Sequence, residues 1–234
     1  MPFLKWIQAG TTAELAEAIE ANPSLCEWRD AQDISALMWS VYYGQPVVRD
    51  FLLARLAERS VALDVFEASA TGSAARLKEI VDGDPHAANA FAPDGWTPLH
   101  LAAAFGTPEA AAVLLEHGAR VDAVSKNPQR NQPLHAAMAL GGGAEMAALL
   151  IRHGADPNAV QVGGYTPLFS AAAANRRDLA ELLIAHGANP QPVNDSGKTP
   201  AGYARERGHV ELAEWLESLP LAALEPDGAK RPVG

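Results

Sequence analysis

The chain has 234 residues, 48% of them apolar and 20% charged, and carries a formal net charge of −10 at pH 7. That acidity excludes nucleic acid and anionic membrane surfaces as natural partners, because phosphate binding needs clustered Lys and Arg, and it favours a basic protein partner. No apolar run reaches the roughly 18 residues of a membrane span, and a single cysteine, Cys26, rules out an intrachain disulfide.

The start, Met1-Pro2-Phe3-Leu4-Lys5-Trp6, has no basic stretch followed by an apolar one. No secretory signal is therefore expected, and a reducing, cytoplasmic setting is. Arginine outnumbers lysine 13 to 5 in an alanine-rich chain, a composition that fits GC-rich, bacterial coding.

A rhythm runs along the chain. Met1-Pro2-Phe3 leads to Gly10, Ser35-Ala36-Leu37 to Gly44, and Val65-Phe66 to Gly72. It becomes explicit at Thr97-Pro98-Leu99-His100, which returns as Gln132-Pro133-Leu134-His135, Thr166-Pro167-Leu168-Phe169 and Thr199-Pro200-Ala201-Gly202 every 33 to 35 residues. Gly118-Ala119-Arg120-Val121-Asp122, Gly154-Ala155-Asp156-Pro157-Asn158 and Gly187-Ala188-Asn189-Pro190-Gln191 keep step with it. Two motifs in register at this period define stacked repeats.

The best-formed unit predicts its own local structure. Ala92-Pro93-Asp94-Gly95 has turn chemistry. Thr97 is an N-cap residue and Pro98 suits the first helical position. A short helix over Pro98–Phe105 carries Ala102, Ala103 and Ala104, small enough for a close neighbour, and Gly106 should end it in the left-handed region. A second helix from about Pro108 places Ala111, Leu114 and Leu115 on its apolar side and closes at Gly118.

These residues resemble the ankyrin repeat, whose Gly-x-Thr-Pro-Leu-His-x-Ala-Ala and Leu-Leu-x-x-Gly-Ala-Asp patterns match Gly95 to Asp122. Gly141, Asn175 and Gly208 fall at the position of Gly106, and Asn is the non-glycine best suited to a left-handed turn. The resemblance implies an all-α solenoid of about seven helix-turn-helix repeats joined by β-hairpin-like loops. The repeats lie near 1–31, 32–60, 61–91, 92–126, 127–160, 161–193 and 194–219, and residues 220–234 read as a flexible tail. Gly141-Gly142-Gly143 adds a residue to one inter-helix turn. The last repeat turns polar through Tyr203, Arg205, Glu206, Arg207, Glu211, Glu214 and Glu217, as an uncovered end requires.

Chemistry is scarce by comparison. Gly197-Lys198-Thr199 looks like the end of a phosphate loop, but Pro192 stands where the first glycine belongs, so a hairpin tip and a cap are expected. His100 and His135 sit one turn past their caps, where a ring nitrogen can bond the cap or the adjoining loop. His117, His153 and His186 close second helices, favoured there by the helix dipole but too far apart to share a metal. Cys26 reads as a small buried hydrophobe. No catalytic, metal or cofactor motif is present, so no enzyme activity, cofactor or metal is expected.

The resemblance also implies a binding surface. In ankyrin proteins the residue before the tetrapeptide and the two before the turn glycine face the concave side. Here these are Ile34, Tyr42 and Tyr43; Trp96, Ala104 and Phe105; Asn131, Ala139 and Leu140; Tyr165, Ala173 and Ala174; and Lys198, Glu206 and Arg207. Five of these fifteen are aromatic in a chain that is 6% aromatic, and rings dominate protein interfaces. Trp6, Trp28, Trp39 and Trp215 are expected in the core instead. The expected function is a monomeric, non-catalytic module that binds another protein through that face. The alternative is an acidic inhibitor or immunity-type protein that blocks a toxin or enzyme.

Overall fold

The structure, a computed structural model, describes residues 2–105, 107–140 and 142–220. The expectations for Gly106 and Gly141 as helix-ending glycines, and for a flexible tail beyond Pro220, lie outside the described residues.

Fourteen α-helices follow one another in pairs. They are α1 (Phe3–Ala9) and α2 (Thr12–Ala21), α3 (Ala36–Tyr42) and α4 (Pro46–Glu58), α5 (Val65–Thr71) and α6 (Ala74–Gly83), and α7 (Pro98–Phe105) and α8 (Pro108–Glu116). Then come α9 (Pro133–Leu140) and α10 (Gly143–Arg152), α11 (Pro167–Ala173) and α12 (Arg177–Ala185), and α13 (Pro200–Glu206) and α14 (Val210–Ser218). Each odd-numbered helix packs on the next odd-numbered one along the whole array, while α6, α8, α10 and α12 form a second row behind it. This is an all-α repeat solenoid.

Helix starts follow the sequence physics. Proline opens α7, α8, α9, α11 and α13. His100 N–H donates to Thr97 Oγ1 and Gly202 N–H to Thr199 Oγ1. Asp64 builds a full capping box with Glu67, which replaces the missing tetrapeptide there. Asn175 takes φ +53°, the left-handed turn expected of it.

Packing explains the alanines. Ala102, Ala103 and Ala104 are fully buried where α7 meets α9. Leu99, Leu114, Leu134, Leu150, Leu168 and Leu183 are also fully buried, each worth roughly 1.5–3 kcal/mol relative to exposure. The core has two large parts. Helices α1–α4 share one around Ile7, Leu15, Leu37 and Leu52, and α5–α14 share the other. They meet at Leu63 and through a smaller cluster of Met38, Val41, Ala70 and Leu101. Trp6, Trp28 and Trp215 are half-buried at core edges, as is Trp39.

The loops are hairpin tips with only isolated bridges, Arg29 to Ser35 and Gln161 to Tyr165. Successive tips bond to one another. Lys126 N–H donates to Gly95 O (2.8 Å), Val162 N–H to Gln129 O (3.1 Å) and Asp195 N–H to Gly163 O (3.0 Å). Gly95 is needed for that approach: its φ is +85°, and a Cβ there would lie 2.7 Å from Asn127 N. Upstream the ladder stops. Pro93 occupies the donating position of its tip and has no N–H.

A second inter-repeat link was not foreseen. Asn158 Nδ2 donates to Gly187 O (2.8 Å) while its Oδ1 accepts Asn189 N–H (2.7 Å). Asn89 makes the same pair with Gly118 O and Arg120 N–H, both at 2.9 Å. Asn158→Ala strands a carbonyl and an amide together and should cost about 1–3 kcal/mol. Urea unfolding reads this directly, and an unchanged midpoint would show that water replaces the clamp.

Candidate binding face

The expected face residues gather into two aromatic groups, one at each end of the array. Upstream, Ile34 and Trp96 project from tips, and Tyr42, Tyr43 and Phe105 from the ends of α3 and α7. Tyr42 meets Phe105 at 6.0 Å and Trp39 edge-on at 5.9 Å. Tyr43 stacks on Trp39 at 5.2 Å, and Trp96 stacks on His100 at 5.9 Å. Ile34, Tyr42, Trp96 and Phe105 all pack on the small cluster beneath, so this group is half sunk into the joint between the two cores. Trp39 packs on the first core at its edge and also carries the rings of this group, its Nε1 donating to Asp30 Oδ2 at 2.9 Å.

Downstream, Tyr165, Phe169 and Tyr203 meet edge to face at 5.2, 6.0 and 6.1 Å. They line an open recess of about 360 Å³ with Gln161, Ser170 and Ala173. Arg207 places its guanidinium 5.0 Å from the Tyr203 ring, and Lys198 Nζ lies 2.8 Å from Glu206. Of the expected residues, Leu140 and Asn131 join neither group, nor do Ala139, Ala174 and the fully buried Ala104. Leu140 is 56% exposed, whereas Asn131 is 8% exposed. The Asn131 backbone serves the fold, its O accepting from His100 Nε2 at 3.0 Å and its N–H donating to Ser125 Oγ. Tyr203 was read only as part of a polar end. Its signal was its place on the first helix of the last repeat, beside Phe169 of the repeat before.

Phe169 departs from the repeat chemistry in a telling way. At the same position His100 holds Thr97 Oγ1 through Nδ1 (2.8 Å) and reaches the next tip through Nε2. His135 likewise reaches Tyr165 O at 3.3 Å. Phe169 can do neither, and Thr166 Oγ1 is left buried without a hydrogen-bond partner among the described residues. The cost is of order 1–3 kcal/mol, and what stands in return is a ring in the recess.

Burial holds His100 down to about 4, and it lowers His135 as well, so both are neutral rings near neutral pH. Burial, then the Asp94 carboxylate that accepts the Tyr42 hydroxyl at 2.5 Å, pushes the Tyr42 phenol far up. The Val113 carbonyl and then Asp82 raise His117, which closes α8. His153 and His186 close α10 and α12 in the same way. Gly197 is a tip glycine at φ +75° and Thr199 a cap, which accounts for the phosphate-loop look of that stretch. Cys26 is buried, its Sγ 3.1 Å from Pro23 O. Among the described residues no three His, Cys, Asp or Glu side chains form a metal-holding set, and no helix is long and apolar enough to cross a membrane.

A family model described as ankyrin repeats (3 copies) matches residues 65–161 and again 141–220. No curated protein matches the sequence. The first matched stretch begins at Val65, where the second, larger core begins.

Proposed function

The chain belongs to the ankyrin-repeat family, generally a family of protein-interaction modules, and from that premise we propose that it binds another protein, without catalysis, through the face formed by its tips and first helices. The observation that carries this reading is the Thr166–Phe169 exchange. A hydrogen bond that stabilises the neighbouring repeats is given up, and an aromatic recess stands at the surface instead. The ring also packs in the fold, at 2% exposure, but a histidine would fill that place and keep the hydrogen bonds, whereas rings suit recognition because they bury much area at low entropic cost. The proposed contact residues are Tyr165, Phe169 and Tyr203, with Trp39, Tyr42, Tyr43 and Trp96 as the second anchor.

Net charge favours a basic partner: the exposed carboxylates of Glu109, Glu116 and Glu145 belong to second-row helices, and those of Glu211 and Glu214 to α14. They speed encounter, while Asp94 and Asp64 stand beside Tyr42 on the face itself.

The test is capture from a lysate of the source cell on the full chain, wild type beside Tyr165→Ala/Tyr203→Ala, with circular dichroism to verify the fold. A specific protein partner should bind the double variant at least about 2 kcal/mol more weakly. Equal recovery on both chains would move the interface off this face.

A further inference from the structure

The upstream aromatic group carries a surplus of negative charge that the downstream one lacks. A narrow cleft at the joint between the two cores is lined by Asp33, Asp64 and Asp94 beside Arg29, Ile34 and Tyr42. Asp94 accepts the Tyr42 hydroxyl and the Trp96 N–H, so its carboxylate is fixed against the rings. Asp64 caps α5 with one oxygen and holds Arg29 Nη2 with the other at 2.9 Å. The Asp33 side chain is 77% exposed and reaches Arg29 Nε only at 3.9 Å. Arg29 is shared further, since it also lies 3.3 Å from the buried Glu67. Asp30 stands in the same tip, bonded to Trp39. The other cation nearby is Lys126, whose N–H joins the Gly95 tip and whose Nζ rests 3.8 Å over the Phe91 ring. Five carboxylates thus stand against two cations. At the recess of Tyr165, Phe169 and Tyr203 the charges balance: Lys198 is held by Glu206 at 2.8 Å, and exposed Asp195 offsets Arg207.

Within the binding reading above, on which this rests, we infer that the upstream group takes a basic segment of the partner, with a Lys or Arg side chain at the cleft of Asp33, Asp64 and Asp94. The cleft encloses only about 20 Å³, little more than one water needs. The cationic head therefore meets the carboxylates at the mouth, while its aliphatic stem lies on Ile34 and the Tyr42 ring. Desolvation decides the sign. Any segment that covers Tyr42 also covers Asp94, because the two are hydrogen-bonded, and a carboxylate taken from water without a counter-charge is costly. An acidic segment would add like-charge repulsion to that cost. A basic one offsets it, and the faces of Tyr42 and Trp96 add a cation–π attraction. A metal ion does not fit, since among the described residues no three acidic, His or Cys side chains gather closely enough to hold one.

The experiment pans a phage-displayed library of short random peptides on the full chain. Enriched peptides are then measured on wild type, on Asp33→Asn/Asp94→Asn, on Glu109→Gln/Glu145→Gln and on Tyr165→Ala/Tyr203→Ala, each fold verified by circular dichroism. Asn suits both upstream positions. Asp33 has φ +64°, a region Asn tolerates, and at position 94 the amide oxygen can still accept the Trp96 N–H. Glu109 and Glu145 are exposed on the second row, so their pair makes the same charge change away from the face. The expected result is enrichment of Lys or Arg, with affinity about tenfold or more weaker on the Asp33/Asp94 pair and unchanged on the Glu109/Glu145 pair. Basic peptides weakened equally by both pairs would reduce the attraction to net charge and overturn the cleft. Peptides that need the two downstream tyrosines but not Asp33 and Asp94 would overturn it as well, while leaving the face in place. Peptides indifferent to all three variants, or no enrichment at all, would remove the cleft and count against the face itself.

Discussion

Lowering the pH from 7 to 4 should remove about 3 kcal/mol of folding stability through His100 alone. The imidazole is fully buried and its folded value sits near 4 instead of 6.5. Between those values the unfolded chain binds a proton that the folded chain refuses, so stability rises with pH across this window. It is fully present above 6.5 and lost as the pH falls towards 4. Geometry supports the neutral ring: Nδ1 accepts the Thr97 N–H at 3.3 Å, so the ring proton belongs on Nε2, which donates to Asn131 O. His135, lowered by the same cause, adds to the loss. His117 works in the opposite sense. Its raised value gives stability that is full below the unfolded value and lost as pH rises through the folded one, but its exposure to solvent keeps the effect small. Urea unfolding across the pH range measures the sum. Replacing His100 by Gln should lower stability at pH 7 and flatten the acid slope, and a slope the variant leaves untouched would assign the acid loss elsewhere.

Phe169 carries the second large effect, and its two substitutions separate folding from recognition. The ring is 2% exposed and joins Tyr165 to Tyr203. Phe169→Ala should cost about 3–5 kcal/mol, the range for emptying a buried aromatic site. Phe169→His should behave differently. It restores at this repeat the arrangement of His100: a ring nitrogen for Thr166 Oγ1 and a donor towards Lys198 O. Stability should hold at or near the wild-type value while partner binding weakens, because the imidazole must then serve the backbone and not the recess. A histidine variant that unfolds as easily as the alanine one would refute the account of Thr166. One that keeps full partner affinity would refute the role given to the ring.

Much of the architecture was legible because each local signal had a local cause. Pro98 and Pro108 begin helices where a missing N–H is free of cost, Asn175 takes the turn that only glycine does more easily, and His100 reaches the cap three residues before it. What escaped the sequence depends on residues a full repeat away. Nothing near Asn158 says that its amide will close on Gly187 and Asn189. That Thr166 lacks a partner is visible only once Phe169 is seen in the place of a histidine. Trp39 packs at the core edge as expected, but its hydrogen bond to Asp30, nine residues away, was not legible. The site was legible as a set of aromatic positions, but not its division: Asn131 is drawn into the fold by His100, and Tyr203 arrives from a helix that reads as a polar cap.

The most direct test of the central claim is hydrogen–deuterium exchange of the full chain with and without the captured partner. Slowed exchange at the tips around 126–131, 161–165 and 194–198 and at the C-terminal ends of α11 and α13, with α8, α10 and α12 unchanged, is the predicted footprint. Protection confined to α8, α10 and α12 would place the partner on the second row and contradict the assignment of the aromatic face.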